Sequence, residues 1–177
     1  MKESLEEALN WEPHRLFTGK ACHVFADQLM TRLRSKGWQF FRIGLKDIPV
    51  LPGQQFMSAL HVCLGNGACF LDICGQHNRE ELLGTWRKEW PQLSDINIYS
   101  CTREDLFEKS QLNVQTGDLA RLPDFLRKPE VLLAFEQQSA EDKYSLALDH
   151  EFLARAGEKA IAVIQRDPAK YGLESFG

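Results

Sequence analysis

Hydrophobic spacing in the first third of the chain predicts helices followed by a strand. Apolar positions recur at three- and four-residue intervals over residues 22–33, which is one helical stripe, and Gly37 follows as a helix stop. A short acidic helix is expected over residues 2–10, with Pro13 ending or bending it. Residues 38–43 are aromatic and apolar, which indicates a buried strand. The stripe consists of Cys22, Phe25, Ala26, Leu29 and Leu33.

Residues 60–75, LHVCLGNGACFLDICG, predict a β-hairpin. Asn66 and Gly67 are the preferred pair for a two-residue type I′ turn, because both central residues need φ > 0. Counting outward from such a turn places His61 directly opposite Asp72, on the same face of the sheet. A slip of one residue would put the two side chains on opposite faces.

The segments around this hairpin complete the predicted core. Residues 44–55 contain two prolines and two glycines and are expected to form a loop. The hairpin strands are expected over residues 57–64 and 68–74. Further strand and helix signals follow: a helix from the Asn78 N-cap to about residue 89 with Glu81 completing a capping box, a strand over residues 96–99, and a short helix capped by Thr102.

From residue 118 onward the pattern is helical. The longest segment is expected to begin at Ser139 and to end at Pro168, with apolar positions on one face over residues 144–164. We expect this face to pack on the preceding elements. The chain is therefore predicted to form a single domain over residues 1–177, with a core of about 14–117 and a helical extension of about 118–177.

Composition and charge narrow the function classes. The 177 residues carry a net charge of −4, which argues against a general nucleic-acid binder. There is no apolar run of 18 residues, so no membrane association is predicted, and residues 1–15 lack the pattern of a Sec-type signal peptide. Five cysteines, none in a CxxC pair, indicate reduced thiols. We therefore expect a cytoplasmic protein, or one exported without a Sec-type signal. No cofactor is indicated, and the oligomeric state is not specified.

Three residues suggest a chemistry. Cys22 is placed in the first turn of an amphipathic helix, where unpaired amides and the helix dipole favour a thiolate. His61 beside Asp72 matches an oriented general base, in which the carboxylate sets the tautomer of the imidazole. Each feature also has a plain structural reading, since a lone cysteine on an apolar stripe is usually a core residue and a buried His–Asp pair can serve stability alone.

The order of these residues resembles a known arrangement. The segments GKACHVFADQL (19–29), ALHVCL (59–64) and FLDICG (70–75) resemble the papain-like fold as it occurs in transglutaminases and arylamine N-acetyltransferases, and also a group of bacterial and phage proteins. The resemblance implies an α+β fold with a papain-like/transglutaminase-like core, in which a nucleophile helix packs on a small antiparallel sheet, here followed by a C-terminal helical extension.

The resemblance also implies a function and its residues. Cys22 would be the nucleophile, His61 the base and Asp72 the residue that orients it. The expected activity is that of a cysteine-dependent amide or acyl hydrolase or transferase, such as a peptidase, a deamidase or a transglutaminase, with a protein or peptide substrate and possible use as a bacterial toxin or effector. The chain departs from the pattern at Leu16, where papain-like proteases place a glutamine that donates to the oxyanion. His23 is expected to flank Cys22 and to point away.

Two other readings remain open. Cys63, Cys69, Cys74 and His77 are close in sequence and could hold zinc, although zinc sites prefer tight CxxC pairs and the predicted register points Cys69 away from the others. Alternatively, the fold could be a non-catalytic protein-binding module in which Cys22 is unreactive. Selective alkylation of Cys22 would favour the enzyme over the module.

Overall fold

A computed structural model describes residues 5–34, 37–46, 48–51, 54–56, 59–91, 93–107 and 149–174. The described part of the chain is a mixture of α-helices and antiparallel β-strands, as predicted for an α+β fold. The helices are α1 Leu5–Leu9, α2 Pro13–Gly19, α3 Cys22–Met30, α4 Arg79–Glu89, α5 Arg103–Phe107 and α6 His150–Arg166, followed by a 3-10 helix, Pro168–Tyr171. The strands are β1 Gln39–Gly44, β2 Ile48–Leu51, β3 Gln54–Phe56, β4 His61–Gly65, β5 Phe70–Asp72, β6 Gly75–His77 and β7 Asn97–Cys101.

Five of these strands form one sheet in the order β6-β5-β4-β1-β7, and every neighbouring pair is antiparallel. The strands expected over residues 38–43 and 96–99 correspond to β1 and β7. The loop expected over residues 44–55 is wrong, because this segment contributes β2 and most of β3, which pair with each other in a separate two-stranded sheet. Its prolines and glycines hid the short strands from a sequence-based prediction.

The two-residue turn predicted for the hairpin is also wrong. Leu64 pairs with Leu71 and Gly65 with Phe70, so β4 and β5 are joined by a four-residue loop over residues 66–69. Side chains in a strand alternate between faces with a period of two, and the observed register differs from the predicted one by two residues. The prediction of a shared face therefore survives, although direct opposition of His61 and Asp72 does not.

Packing around Gly65 accounts for the observed register. The rings of Phe41 and Phe70 meet edge to face, with centroids 5.4 Å apart, and both lie over Gly65. A Cβ atom at this position would lie 2.8 Å from Phe41 and 2.9 Å from Phe70, so a side chain here needs the rings to move. In the loop, Oδ1 of Asn66 accepts hydrogen bonds from the backbone N–H groups of Ala68 and Cys69 at 3.0 and 3.1 Å.

The second predicted strand, residues 68–74, is in fact interrupted by a tight turn. Asp72 pairs with Gly75, so residues 73 and 74 form a two-residue connection to β6. Gly75 adopts φ 111°, which favours glycine, and a Cβ atom there would meet Lys170 at 3.4 Å. The hydroxyl of Tyr171 donates to the carbonyl of Ile73 at 3.1 Å, so the end of the described chain anchors this turn.

Several helix boundaries follow the predicted caps. Asn78 and Glu81 form the expected capping box at the start of α4, and Thr102 caps α5 through the N–H of Asp105 at 3.1 Å. Pro13 does not end a helix but occupies the first turn of α2, where its missing N–H costs nothing. Within the predicted segment 2–10, α1 is the described helix.

The C-terminal helix is shorter than expected. Asp149 is the N-cap of α6, and its side chain accepts the N–H of Phe152 at 3.0 Å, so the helix begins at His150 and not at Ser139. Residues 108–148 lie outside the described residues, and so do the predictions made for them. The expected apolar stripe is present in α6 and is fully buried: Phe152, Ala156, Ala160 and Ile164.

Each face of the five-stranded sheet carries an apolar cluster. On one face α3 packs on β4 and β5, and α6 packs on α3 within the same cluster. The second cluster joins the other face to α4 through Leu82 and Leu83. Lys159 of α6 donates to the carbonyls of Leu9 and Trp11 at 2.8 and 2.7 Å, which ties α6 to the end of α1. Within the described part of the chain, no helix has the length and apolar character needed to cross a membrane.

Candidate active site

Cys22 lies at the first position of α3, as the sequence predicted. The helix has nine residues and its N-cap is Ala21, which has no side chain able to accept from the first-turn N–H groups. These amides and the helix dipole therefore face the region of the Cys22 thiol without a competing side-chain cap, which favours negative charge there. The Cys22 side chain is 8 % exposed, so the sulfur is largely withdrawn from water.

His61 and Asp72 are in contact, as predicted. Nε2–H of His61 donates to Oδ2 of Asp72 at 3.0 Å, and the two residues are 1 % and 5 % exposed. His61 is the first residue of β4 and Asp72 the last of β5, so the carboxylate reaches the ring diagonally across the two strands. Nδ1 of His61 is buried and has no hydrogen-bond partner among the residues that the structure describes. This second nitrogen is therefore the one available for proton exchange with the Cys22 thiol.

The thiol and the imidazole shift each other's pKa in opposite directions. Burial alone raises the pKa of Cys22, but the electrostatic influence of His23 and His61 outweighs it and lowers the pKa well below the usual value. Burial alone lowers the pKa of His61, but interactions with Asp72 and Cys22 raise it to about 9. Both shifts favour a thiolate beside an imidazolium.

Asp72 holds two histidines and one backbone amide. Its Oδ1 atom accepts from Nε2–H of His77 at 3.0 Å and from the N–H of Cys74 at 2.7 Å, while Oδ2 accepts from His61. Burial raises the pKa of Asp72, but its two histidine partners lower it well below the usual range, so the carboxylate stays ionised. Both oxygens thus accept hydrogen bonds, which fixes the orientation of the carboxylate towards His61.

Trp86 covers the imidazole of His61. The two rings stack with centroids 4.8 Å apart and an interplanar angle of 22°. Trp86 lies on the buried side of α4, four residues after Leu82, so the helix positions the indole over the histidine. Trp86 was not among the predicted site residues, although the spacing of Leu82, Leu83 and Trp86 on a predicted helix could have indicated that it faces the sheet.

His23 does not lie as predicted. It was expected to point away from Cys22, but its side chain is 6 % exposed and it lowers the pKa of the neighbouring thiol. Its ring packs against Phe107 of α5, with centroids 5.0 Å apart. The prediction was wrong because a residue in the first turn of a helix can fold its side chain back towards its neighbour.

The residues considered for zinc are dispersed. Cys63 is buried in the cluster beneath α4, Cys69 lies in the hairpin loop, and Cys74 contacts Nε2 of His14 at 3.1 Å. Burial and the charge of Asp72 raise the pKa of Cys74 to about 11, which keeps this thiol protonated. Within the described ranges, no three His, Cys, Asp or Glu residues are grouped so that they could hold a metal ion.

Comparison of the chain with protein-family models, with curated proteins and with solved structures finds no match.

Proposed function

We propose that this protein is a cysteine-dependent amide or acyl hydrolase or transferase with a papain-like, transglutaminase-like core. The observation that carries the proposal is the set formed by Cys22, His61 and Asp72. The thiol at a helix N-terminus interacts with an imidazole whose other nitrogen donates to a buried carboxylate at 3.0 Å. The nucleophile is thus next to the base, and the base is held by the orienting group, as such chemistry requires.

In the first half of the reaction, the Cys22 thiolate attacks the carbonyl carbon of an amide or ester. A C–S bond forms and the carbonyl electron pair moves to the oxygen, which the first-turn N–H groups of α3 can stabilise. The C–N or C–O bond then breaks. Nδ1–H of the His61 imidazolium gives its proton to the leaving group, and a thioester remains on Cys22.

In the second half, His61 acts as a base. Its Nδ1 takes a proton from the acceptor, which attacks the thioester and releases Cys22. Water as acceptor gives a peptidase or deamidase, and an amine gives a transglutaminase. Asp72 stays ionised throughout and stabilises the imidazolium. A protein or peptide substrate in a bacterial cytoplasm, or an exported toxin or effector role, is part of the same proposal.

The alternative function is a non-catalytic protein-binding module on the same fold. The observation in its favour is the burial of Cys22, whose side chain is only 8 % exposed. A thiol that serves packing would be withdrawn from solvent in this way. A small acyl donor distinguishes the two functions, because it tests reaction at Cys22 without requiring knowledge of the natural substrate.

The experiment measures p-nitrophenyl acetate hydrolysis together with the mass of the acetylated protein. The wild type should acquire one acetyl group on Cys22 and release p-nitrophenol in repeated turnovers. Cys22→Ala should abolish both, and His61→Ala should slow turnover by roughly 10²–10⁴-fold. The triple variant that also carries Asp72→Asn should be no slower than Cys22→Ala, because the residues act as one unit.

A matched control is Cys69→Ala, which removes a half-buried thiol from the hairpin loop and should leave turnover unchanged. Acetylation spread evenly over several cysteines, or full turnover by Cys22→Ala, would refute the enzyme and favour the binding module. Circular dichroism of each variant separates loss of chemistry from loss of fold.

A further inference from the structure

The first turn of α3 contains a histidine that the Cys22–His61–Asp72 set leaves without a role. His23 follows Cys22 directly and is 6 % exposed, and its Nε2 atom is buried without a hydrogen-bond partner in the described part of the chain. Among the described residues, the other buried side-chain nitrogen or oxygen without a partner is Nδ1 of His61. Both atoms belong to rings that interact with the Cys22 thiol. A buried, unpaired N–H is costly, and a ligand atom at this site would relieve that cost.

The surroundings of His23 fix its ring in place. Phe107 packs against it with centroids 5.0 Å apart and an interplanar angle of 59°. Arg103 of the same helix, α5, forms a two-pronged ion pair with Asp27 of α3, at 2.7 and 3.1 Å, which holds the two helices together. A donor held in this way does not need to reorganise when charge develops near it, and this is the property that makes an oxyanion donor effective.

Among the described residues, the position that gives papain-like proteases a side-chain oxyanion donor carries none here. Leu16, where papain-like proteases carry a glutamine, is fully buried and apolar. During attack, negative charge moves from the sulfur to an oxygen on the carbon that the sulfur has just joined. His23 follows Cys22 in the same helical turn and lowers the pKa of its thiol, so a donor on its ring is close to the new charge as well.

We propose that His23 is a catalytic residue of the Cys22 site, whose Nε2–H donates a hydrogen bond to the oxyanion together with the first-turn N–H groups of α3. This inference rests on the acyl-transfer function proposed above. The C–S bond forms while the carbonyl electron pair moves to oxygen, and the hydrogen bond from His23 stabilises that oxygen. When the oxyanion collapses, the electron pair re-forms the carbonyl and the leaving group departs with the proton from His61.

The test compares two reactions of Cys22 in the full chain. Alkylation by iodoacetamide forms an S–C bond and expels iodide, and it requires the thiolate but creates no oxyanion. Acetylation by p-nitrophenyl acetate requires the same thiolate and passes through an oxyanion. Both are measured at pH 8, below the pKa of about 9 at which His61 loses its proton. The ratio of the two rates isolates the oxyanion step.

His23→Phe keeps an aromatic ring against Phe107 but removes the donor. Because loss of His23 also weakens the thiolate, we compare the two reactions: acetylation should fall by roughly 10²–10³-fold more than alkylation does, the usual loss for one oxyanion donor. His23→Gln retains an N–H donor, so its acetylation rate should be at least about tenfold higher than that of His23→Phe. The control His150→Phe, at an exposed histidine that starts α6, should change neither rate.

Other patterns overturn the inference. Equal losses in both reactions would mean that His23 only supports the thiolate, and unchanged rates would mean that its ring only fills the core. If His23→Phe does not fold, the test is made on the wild type with acetaldehyde, which adds to Cys22 as a thiohemiacetal. The Nε2–H signal of His23 should then shift in the nuclear magnetic resonance spectrum. No shift would refute the hydrogen bond. A wild type that is never acetylated on Cys22 refutes the proposed function, whereas normal acetylation of His23→Phe refutes only the role of His23.

Discussion

Asp72→Asn removes the charge that supports the His61 imidazolium and keeps the shape of the side chain. In the wild type, Oδ2 of Asp72 accepts from His61 at 3.0 Å, while His77 and the N–H of Cys74 share Oδ1. An amide has one oxygen for these three donors. The turn amide at 2.7 Å is the shortest contact and should keep that oxygen, which turns the NH₂ group towards His61.

The expected size of the effect follows from the lost interaction. A hydrogen bond to a charged group contributes about 1.5–3 kcal/mol, and 1.36 kcal/mol corresponds to one pKa unit, so the pKa of His61 should fall by about 1–2 units. The raised pKa of about 9 would then drop to between about 7 and 8. The amide NH₂ also favours the tautomer with the proton on Nδ1, which is the wrong one for a base facing Cys22.

The measurement is a pH titration of the His61 ring signals by nuclear magnetic resonance. The imidazolium of the wild type persists up to about pH 9 because the pKa of His61 is raised, and it is lost as the pH rises through that value. In Asp72→Asn the same loss should occur at lower pH, and the alkaline limb of p-nitrophenyl acetate turnover should move with it. In the control Asp95→Asn, at an exposed aspartate, the His61 ring should titrate as it does in the wild type. A His61 ring that still titrates near pH 9 in Asp72→Asn would refute the reasoning.

The remaining predictions concern the support of the site. Trp86→Ala should remove stacking worth about 0.5–1.5 kcal/mol and open the His61 ring to water, so turnover of p-nitrophenyl acetate should fall. Trp86→Phe should keep most of that turnover, and equal turnover in both variants would exclude a role for the ring. Phe152→Ala should lower the free energy of unfolding in urea by about 3–5 kcal/mol, because this side chain is fully buried, and a cost below 1 kcal/mol would mean that α6 is not part of the core. Tyr171→Phe should cost about 1–3 kcal/mol by leaving the carbonyl of Ile73 unpaired, and an unchanged melting temperature would mean that this hydrogen bond does not stabilise the turn.

The site was predictable to the extent that it depends on local patterns. The start of α3 at Cys22 follows from the apolar stripe, and the capping box of α4 follows from Asn78 and Glu81. The shared face of His61 and Asp72 follows from the period of two along a strand, which is the same in both registers.

Features that depend on distant contacts were not predictable from the sequence. The tight turn after Asp72 has Ile73 and Cys74 at its centre, neither of which is a turn former, and the Tyr171 hydroxyl and the Asp72 carboxylate stabilise it. The burial of His23 involves contact with Phe107, 84 positions further along the chain. Sequence periodicity contains no information on such contacts.

The register of the hairpin has a consequence for how the site is encoded. The alternation of apolar and polar residues cannot distinguish two alignments of β4 and β5 that differ by two residues, because both bury the same side chains. They nevertheless differ by about 7 Å in the position of Asp72 along β4, which is more than the length of a hydrogen bond. The ambiguity is resolved by size: a residue without a side chain at position 65 admits the crossing rings of Phe41 and Phe70 in one alignment. The contact between Asp72 and His61 thus depends on the absence of a side chain at position 65, at the other end of β4.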